Sequence, residues 1–128
     1  MPESPSQPLR VLIIDDHASF RSAVRELLER RGFAVVAEAD DATSGLETAE
    51  RIAPEAVLLD VRLPDGDGFD VCHTLTLRDP ELAVLLVSSD DLHRNPAHIH
   101  ECGARGFLLK SRLASSDLVA ILARDGDS

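Results

Sequence analysis

Short apolar segments alternate with amphipathic segments along this chain, and the two kinds differ in their periodicity. Apolar runs rich in Val, Ile, Leu and Ala are typical of strands that are buried on both faces of a parallel sheet. They occur at 9–14, 33–37, 55–60, 82–87 and 105–109. The sequence therefore predicts five strands.

Between these runs, apolar residues recur with the spacing of one helical face. The longest stripe comprises Phe20, Ala23, Val24, Leu27 and Leu28, and Gly32 is predicted to end that helix. Shorter stripes are formed by Leu46, Ala49 and Ile52, by Phe69, Cys72 and Leu75, and by Leu118, Ile121 and Leu122. Each predicted strand is thus followed by a helical segment, although the fourth segment is only weakly patterned.

Local signals suggest where several of these helices begin. Thr43 or Ser44 is expected to cap the second helix, and Ser115 or Ser116 the last one. Asn95–Pro96 resembles an N-cap followed by proline in the first turn, which predicts a fourth helix ending near Gly103.

Five strands alternating with five helices predict a doubly wound α/β fold, with right-handed crossovers and helices on both faces of a parallel sheet. A chain of 128 residues is long enough for one ordinary domain and too short for two. We expect this domain to cover residues 9–124, after a disordered Pro/Ser-rich lead at 1–8 and before a frayed polar tail at 125–128.

The charge and composition exclude several kinds of partner. A formal net charge of −10 argues against binding to nucleic acid or an anionic membrane by this chain itself. The absence of Trp and Tyr removes the usual platforms for stacking single-stranded bases. No apolar stretch approaches the roughly 20 residues that span a bilayer, and the lead lacks the apolar segment of a signal peptide, so a cytoplasmic location is expected.

Cysteine and histidine give no sign of a metal site of their own. Cys72 and Cys102 are too few for a disulfide framework or a zinc site, and are interpreted as reduced packing residues. The histidines share no ligand spacing with cysteine or acid, and all are interpreted as surface residues: His17, His73, His93, His98 and His100.

Chemically useful groups follow four of the predicted strands. Asp15 and Asp16 follow the first, Asp60 ends the third, Ser88 follows the fourth and Lys110 follows the fifth. The carboxyl ends of parallel strands lie along one edge of a sheet, where ligands of open α/β folds bind. Clustered carboxylates repel one another unless a cation neutralises them, and a set of oxygen ligands suits Mg²⁺. The pattern predicts a site for phosphoryl transfer to aspartate.

These residues resemble, over positions 9–123, the receiver domain of two-component response regulators. The matching elements are Asp15–Asp16, Asp60 followed by Pro64 and Gly68, Ser88, and Lys110 after the segment 103–109. Asp15-Asp16-His17 and the segment 106–110 look most like the NarL/FixJ-type subgroup, whose members usually continue into a helix-turn-helix DNA-binding domain that these residues do not contain. The resemblance implies the flavodoxin-like strand order 2-1-3-4-5, for which a receiver protein is a standard example.

The resemblance also implies a role for each matching residue. Asp60 is expected to be the phosphoacceptor, and Lys110 to pair first with the carboxylates and then with a phosphoryl oxygen. Mg²⁺ is expected to be bound by Asp16, by Asp15 directly or through water, by Asp60 and by the backbone carbonyl of Arg62. Ser88 and Phe107 resemble the family's switch pair, in which the hydroxyl moves to the phosphoryl group and the ring follows.

Ordinary structural roles remain open for the same residues. Asp60 is alternatively a strand-end aspartate that caps a turn. The acidic pair is alternatively an N-cap for the first helix, a role that Asp16 could fill while it also binds the ion. A lysine at a strand end is usually solvated, and a phenylalanine such as Phe107 usually packs in the core. Ser111 replaces the proline that often follows the family's lysine, so the conformation of the Lys110–Ser111 peptide stays open.

Three residues around the predicted site are candidates for modulating its chemistry. Arg62 lies two positions after Asp60, and Asp90 two after Ser88, so their side chains are expected to meet over the phosphoryl group. Small Ser89 leaves other access to the site unobstructed. A pair of independent solvated charges is the competing interpretation.

The sequence therefore predicts a phosphorylation-dependent signalling switch rather than an enzyme with a diffusible product. Its expected partners are a sensor histidine kinase or phosphotransfer protein and, after phosphorylation, a second copy. Pairing is expected through the face that contains the last helix, with Leu113 and the Asp/Arg-bearing surface after Lys110 as candidates. One alternative is a Mg²⁺-dependent phosphohydrolase that forms an aspartyl phosphate, although Asp60-Val61-Arg62 lacks the usual second acid. Another is a receiver-like interaction domain that works without phosphorylation.

Overall fold

Five parallel strands form one sheet in the computed structural model, which describes residues 8–90, 99 and 101–122. The strands are β1 (Arg10–Ile14), β2 (Ala34–Ala39), β3 (Ala56–Asp60), β4 (Ala83–Ser88) and β5 (Gly106–Leu109). Their order across the sheet is β2-β1-β3-β4-β5, and every neighbouring pair is parallel. The predicted flavodoxin-like topology is confirmed.

Helical segments whose bounds the structure describes lie between β1 and β2, between β2 and β3, and between β3 and β4, and two more follow β5. They are α1 (Ala18–Arg30), α2 (Ala42–Ile52), α3 (Gly68–Arg78), the 3₁₀ helix Lys110–Ser115 and α4 (Leu118–Leu122). A two-residue strand, Arg62–Leu63, pairs with Gly66–Asp67 to form a small antiparallel hairpin directly after β3. Among the described residues, no helix is long and apolar enough to cross a membrane.

The sheet separates two apolar clusters because alternate residues of a strand point to opposite faces. Leu12 and Ile14 of β1 face the cluster that α2 and α3 cover, while Val11 and Ile13 face the cluster under α1 and α4. Coverage of both faces explains why the strands are almost continuously apolar. Leu113 is 2% exposed within the second cluster, so the expectation that it lies on a dimerisation surface is wrong.

The N-terminus of α2 is capped by two aspartates, and the prediction of Thr43 or Ser44 is wrong. Asp41 is the N-cap residue, and its Oδ1 accepts the backbone N–H of Ser44 at 2.8 Å. Asp65, from the hairpin after β3, accepts the backbone N–H groups of Ala42 at 2.6 Å and Thr43 at 3.0 Å. These hydrogen bonds lower the pKa of the Asp65 carboxyl. Thr43 and Ser44 already lie inside the first turn, where their own N–H groups need acceptors.

The predicted cap of the last helix is also wrong. Asp117 Oδ1 accepts the backbone N–H of Ala120 at 3.1 Å, at the start of α4. The Ser115 and Ser116 hydroxyls instead donate to the carbonyl of Arg112, at 3.2 and 2.7 Å. Both serines are used by the 3₁₀ helix, which the sequence pattern did not predict.

Other predicted boundaries agree with the structure to within two residues. β2 continues to Ala39, whose carbonyl accepts the N–H of Asp15 at 3.0 Å. Gly32 has a φ of 94° just after α1, a left-handed conformation that favours glycine. The predicted helix after Asn95–Pro96 lies largely outside the described residues. The lead and the tail, residues 1–7 and 123–128, also lie outside them.

Candidate functional site

Strand register brings the predicted site residues to one edge of the sheet. The aligned pairs are Ile14 with Leu59, Asp60 with Val87, and Ser88 with Leu109. Asp15 and Lys110 each follow the last residue of their strand. Four side chains from four different strands therefore meet at the carboxyl edge without any long connecting loop.

Three aspartates form the centre of this site. Asp15 and Asp60 are buried, with 0% and 4% exposure, whereas the Asp16 side chain is 35% exposed. One ligand atom from each of Asp15, Asp16, His17 and Asp60 lies within 4.8 Å of all the others. Opposite ligands of an octahedral Mg²⁺ are about 4.2 Å apart, since each Mg–O distance is about 2.1 Å. The three carboxylates offer the oxygen ligands that Mg²⁺ prefers, so this cluster could hold the ion.

The Lys110 ammonium lies among groups from three other elements. Its Nζ is 2.6 Å from Asp15 Oδ2 and 3.4 Å from Asp60 Oδ2. The face of the Phe20 ring, in the first turn of α1, has its centroid 4.2 Å from the same nitrogen. The lysine side chain is only 13% exposed. Lys110 is therefore part of the carboxylate cluster and not a solvated strand-end residue.

The electrostatics of the site act most strongly on Asp60. Burial raises the pKa of its carboxyl above the ordinary value, and the nearby Asp15 carboxylate raises it further. The backbone N–H of Arg62, which donates to Asp60 Oδ1 at 3.2 Å, and the Lys110 ammonium act in the opposite direction. The balance disfavours the charged form of Asp60, so a cation bound here relieves an unfavourable charge.

Gly68 keeps the backbone after Asp60 close to the start of α3. A Cβ at this position would collide with the Asp60 carbonyl oxygen and lie 2.7 Å from Val61 Cα. The Gly68 N–H donates to the Val61 carbonyl at 2.7 Å. This close approach explains why the sequence places glycine here, and it fixes the hairpin that includes Arg62.

The two predicted switch residues lie in different surroundings. Ser88 is 2% exposed, and its Oγ accepts the backbone N–H of Asp90 at 3.3 Å. Phe107 is half-buried and packs against the cluster under α2 and α3. Core packing of Phe107 is therefore observed, and its movement with Ser88 stays a prediction.

A cleft of about 310 Å³ opens above the acidic cluster. Its walls are formed by Asp16, His17, Asp60, Arg62, Leu63, Pro64, Ser88, Ser89 and Asp90. Arg62 Nη2 lies 3.8 Å from Asp90 Oδ2 at the rim, and the two side chains are 67% and 57% exposed. The two side chains thus meet at the rim of the cleft that Asp60 also lines, and their position over a phosphoryl group stays a prediction.

His17 is a site residue that the sequence interpretation missed. Its side chain is 60% exposed, as expected for a surface residue, but Nδ1 lies 3.2 Å from both Asp15 Oδ1 and Asp16 Oδ1. His17, not Asp16, is the N-cap residue of α1, and it makes no side-chain capping hydrogen bond. The signals for it were its position directly after the acidic pair and its place in the Asp15-Asp16-His17 match to the NarL/FixJ-type subgroup.

The loop after Lys110 is resolved by the structure. The Lys110–Ser111 peptide is trans, as are the other described peptide bonds. Lys110 starts the 3₁₀ helix Lys110–Ser115. Serine is therefore compatible with the backbone at position 111.

Comparison with known proteins assigns the chain to a family. Residues 11–123 match the model of the response regulator receiver domain. The chain belongs to this family of receiver domains of two-component response regulators, and the proteins that it resembles include regulators of the LuxR and NarL type.

Individual relatives agree with this assignment. The chain is 32% identical to the transcriptional regulatory protein DegU of Brevibacillus brevis, over 92% of this chain and 51% of DegU. It is 36% identical to the receiver domain of a putative response regulator, NarL, from Mycobacterium tuberculosis, with a TM-score of 0.71, covering 93% of this chain and all of that one. A response regulator from Burkholderia pseudomallei, solved with a phosphorylated aspartic acid and a calcium ion, is 25% identical with a TM-score of 0.79, covering 90% of this chain and 67% of that one. The chain spans about half the length of the curated relatives it matches.

Proposed function

We propose that this receiver domain transfers a phosphoryl group from a sensor histidine kinase or phosphotransfer protein onto its own Asp60. The observation that carries the proposal is that Lys110 Nζ contacts both Asp15, at 2.6 Å, and Asp60, at 3.4 Å, and that Asp60 lines an open cleft. The phosphorylated aspartic acid in the Burkholderia relative supports the same chemistry here.

In the proposed reaction, a carboxylate oxygen of Asp60 forms a bond to phosphorus while the bond from phosphorus to the donor's imidazole nitrogen breaks. The electron pair of that bond stays on the nitrogen. Lys110 lies close enough to Asp60 for its ammonium to exchange the Asp60 carboxylate for a phosphoryl oxygen as its ion-pair partner. Mg²⁺, held by Asp15, Asp16, Asp60 and the Arg62 carbonyl, would neutralise phosphoryl charge in this site.

We further propose that the added phosphoryl charge changes a binding surface, and that the chain is a regulatory domain that catalyses only its own phosphorylation and dephosphorylation. Ser88, which lies at the cleft with its Oγ next to the Asp90 backbone, would respond first, and Phe107 would follow. Pairing of two phosphorylated copies would use the face of α4, where Val119 is 50% exposed. Membership of the receiver family supports this regulatory role over that of a phosphohydrolase.

Incubation with a labelled small acyl phosphate and Mg²⁺ tests the proposal. We expect intact-mass analysis to show one phosphoryl group per chain, bound covalently and released by hydroxylamine as an acyl phosphate is. Rapid release of inorganic phosphate without labelled protein would indicate a phosphohydrolase instead. A protein that neither incorporates nor releases phosphate would be an interaction domain that works without phosphorylation.

The Arg62–Asp90 pair is expected to lengthen the life of the phosphoryl group by obstructing the in-line approach of water. Arg62→Ala and Asp90→Ala should each speed autodephosphorylation by up to about fivefold, the kinetic equivalent of ~1 kcal/mol for an exposed pair. The double variant should be no faster than the quicker single one, since both changes remove the same contact.

Decay of the labelled protein in excess Mg²⁺ measures this effect. Arg30→Ala is the matched control, because Arg30 also forms an exposed ion pair, with Glu26 at 2.8 Å, on the outer face of α1. Unchanged decay in both single variants would show that the pair does not set the lifetime of the phosphoryl group. Ser89 is present in every variant, so the access of water past this small side chain is the same in all of them.

A further inference from the structure

The ring of Phe20 contacts the one ammonium group at the site. Phe20 belongs to the apolar stripe of α1, and part of its side chain packs on the cluster under α1 and α4. The same ring presents its face to Lys110 Nζ, at 4.2 Å from the centroid. This distance is within the range in which a cation is attracted to the electron-rich face of an aromatic ring.

The two ion pairs of Lys110 do not by themselves hold its ammonium beside Asp60. Its Nζ is closer to Asp15, at 2.6 Å, than to Asp60, at 3.4 Å. A lysine side chain has four flexible methylene groups and an ammonium that binds water strongly. The Phe20 ring occupies a third side of the ammonium, and so limits both rotation of the chain and its escape to solvent.

We propose that Phe20 is a positioning residue for phosphoryl transfer, and that its ring face holds the Lys110 ammonium beside Asp60. The inference rests on the proposed function, since it concerns the lysine that would meet the phosphoryl oxygen. Phe20 acts through Lys110 and contacts no reacting atom. The reaction rate should therefore depend on the aromatic face at position 20 and not only on the volume that the side chain fills.

A graded substitution series at position 20 separates these two contributions. Fluorinated phenylalanines, incorporated only at position 20, withdraw electron density from the ring face while almost preserving its shape. We expect the initial rate of phosphorylation by a small acyl phosphate to fall stepwise with each added fluorine. The initial rate should fall about tenfold in Phe20→Leu, whereas the rate of Phe20→Tyr should stay within about twofold of the wild-type rate.

Phe33→Leu is the matched control for loss of packing. Phe33 is 7% exposed in the same apolar cluster, but it precedes β2 and so lies at the opposite edge of the sheet from Lys110. We expect this variant to lower the melting temperature and to leave the phosphorylation rate unchanged well below that temperature. Thermal melts of all variants show how much of each rate change comes from unfolding.

A second background identifies Lys110 as the group through which Phe20 acts. In Lys110→Met, the residual rate should be the same with Phe20 as with Leu at position 20. Proton resonances of the Lys110 ε-methylene provide a readout without any phosphodonor, because the ring current of Phe20 should shift them upfield in wild type and Phe20→Tyr but not in Phe20→Leu.

Three results would overturn the inference. They are equal rates for Phe20→Leu and wild type, equal rates across the fluorinated series, and an undiminished effect of Phe20→Leu in the Lys110→Met background. If wild type itself takes up no phosphoryl group, the proposed function fails and this inference fails with it. If wild type is labelled normally and the variants match it, only the role of Phe20 is lost.

Discussion

Asp60→Asn is expected to abolish covalent phosphorylation while leaving the fold intact. The replacement removes the nucleophilic oxygen that the reaction needs, and nearby groups do not compensate for a lost nucleophile. Phosphoryl incorporation should fall below roughly one part in a thousand of the wild-type yield. Intact-mass analysis after incubation with a small acyl phosphate and Mg²⁺ measures it directly.

The structure suggests why the fold should tolerate this change. The Asn side-chain oxygen can still accept the Arg62 backbone N–H, which Asp60 Oδ1 accepts at 3.2 Å. Lys110 keeps its shorter contact with Asp15, at 2.6 Å. Circular dichroism should therefore be unchanged.

Asp79→Asn is the matched control for this substitution. Asp79 also accepts a backbone N–H two residues ahead, that of Glu81 at 3.1 Å, but it is exposed and far from the cleft. The Asp79→Asn variant should incorporate as much phosphoryl group as wild type does. Full labelling of Asp60→Asn would transfer the acceptor role to another residue, for which buried Asp15 is the first candidate.

The sheet and its functional edge were predictable because both depend on local pattern and on parallel geometry. Apolar runs that end at Asp60 and Ser88 predict strands whose polar ends align, and parallel strands need no exact register for those ends to meet. The observed pairs, Asp60 with Val87 and Ser88 with Leu109, only refine this placement. The position of Lys110 after the edge strand follows from the same argument.

Contacts between segments that are distant in the chain were not predictable in this way. Thr43 and Ser44 are predicted caps of α2 because both are good capping residues shortly before its apolar stripe. The N-cap is Asp41, which a local rule also allows, but Asp65, from the hairpin after β3, accepts two further N–H groups at that terminus. A local capping rule cannot anticipate an acceptor that arrives through tertiary folding.

Phe20 illustrates the same limit at the site itself. Its spacing in the α1 stripe predicts a packing residue, and the structure confirms that packing. Its contact with Lys110 depends on α1 and the end of β5 lying on the same side of the sheet. Periodicity identifies the buried face of a helix but not which polar group lies at the rim of that face.

The second large effect concerns the stability of the metal-free domain. The pKa of Asp60 is raised above its ordinary value of 3.8, mainly by burial and in part by Asp15. The folded protein therefore holds a proton on Asp60 over a pH range in which the unfolded chain has lost it. The contribution of Asp60 to the free energy of unfolding is greatest below the unfolded pKa, and it is lost as pH rises through the folded pKa.

Asp60→Asn should accordingly be more stable than wild type at neutral pH without metal. Asparagine does not ionise, so the variant avoids the buried charge and its repulsion by Asp15. We expect its melting temperature to exceed that of wild type by several degrees, since ~1 kcal/mol corresponds to roughly 4 °C for a domain of this size. The difference should shrink as pH falls through the folded pKa towards the unfolded value of 3.8, below which Asp60 is neutral in both states. Asp79→Asn should show no such pH dependence.

Mg²⁺ should reverse this order. A ligand that binds only the folded state stabilises it by about 2.7 kcal/mol at a hundred times its dissociation constant. Wild type has three carboxylates to bind the cation, whereas Asp60→Asn has lost one of them, so wild type should gain more. Thermal melts across pH, with and without Mg²⁺, measure both effects. A metal-free wild type that is more stable than Asp60→Asn at neutral pH would contradict the prediction, because the Lys110 contact would then outweigh the cost of burying the Asp60 charge.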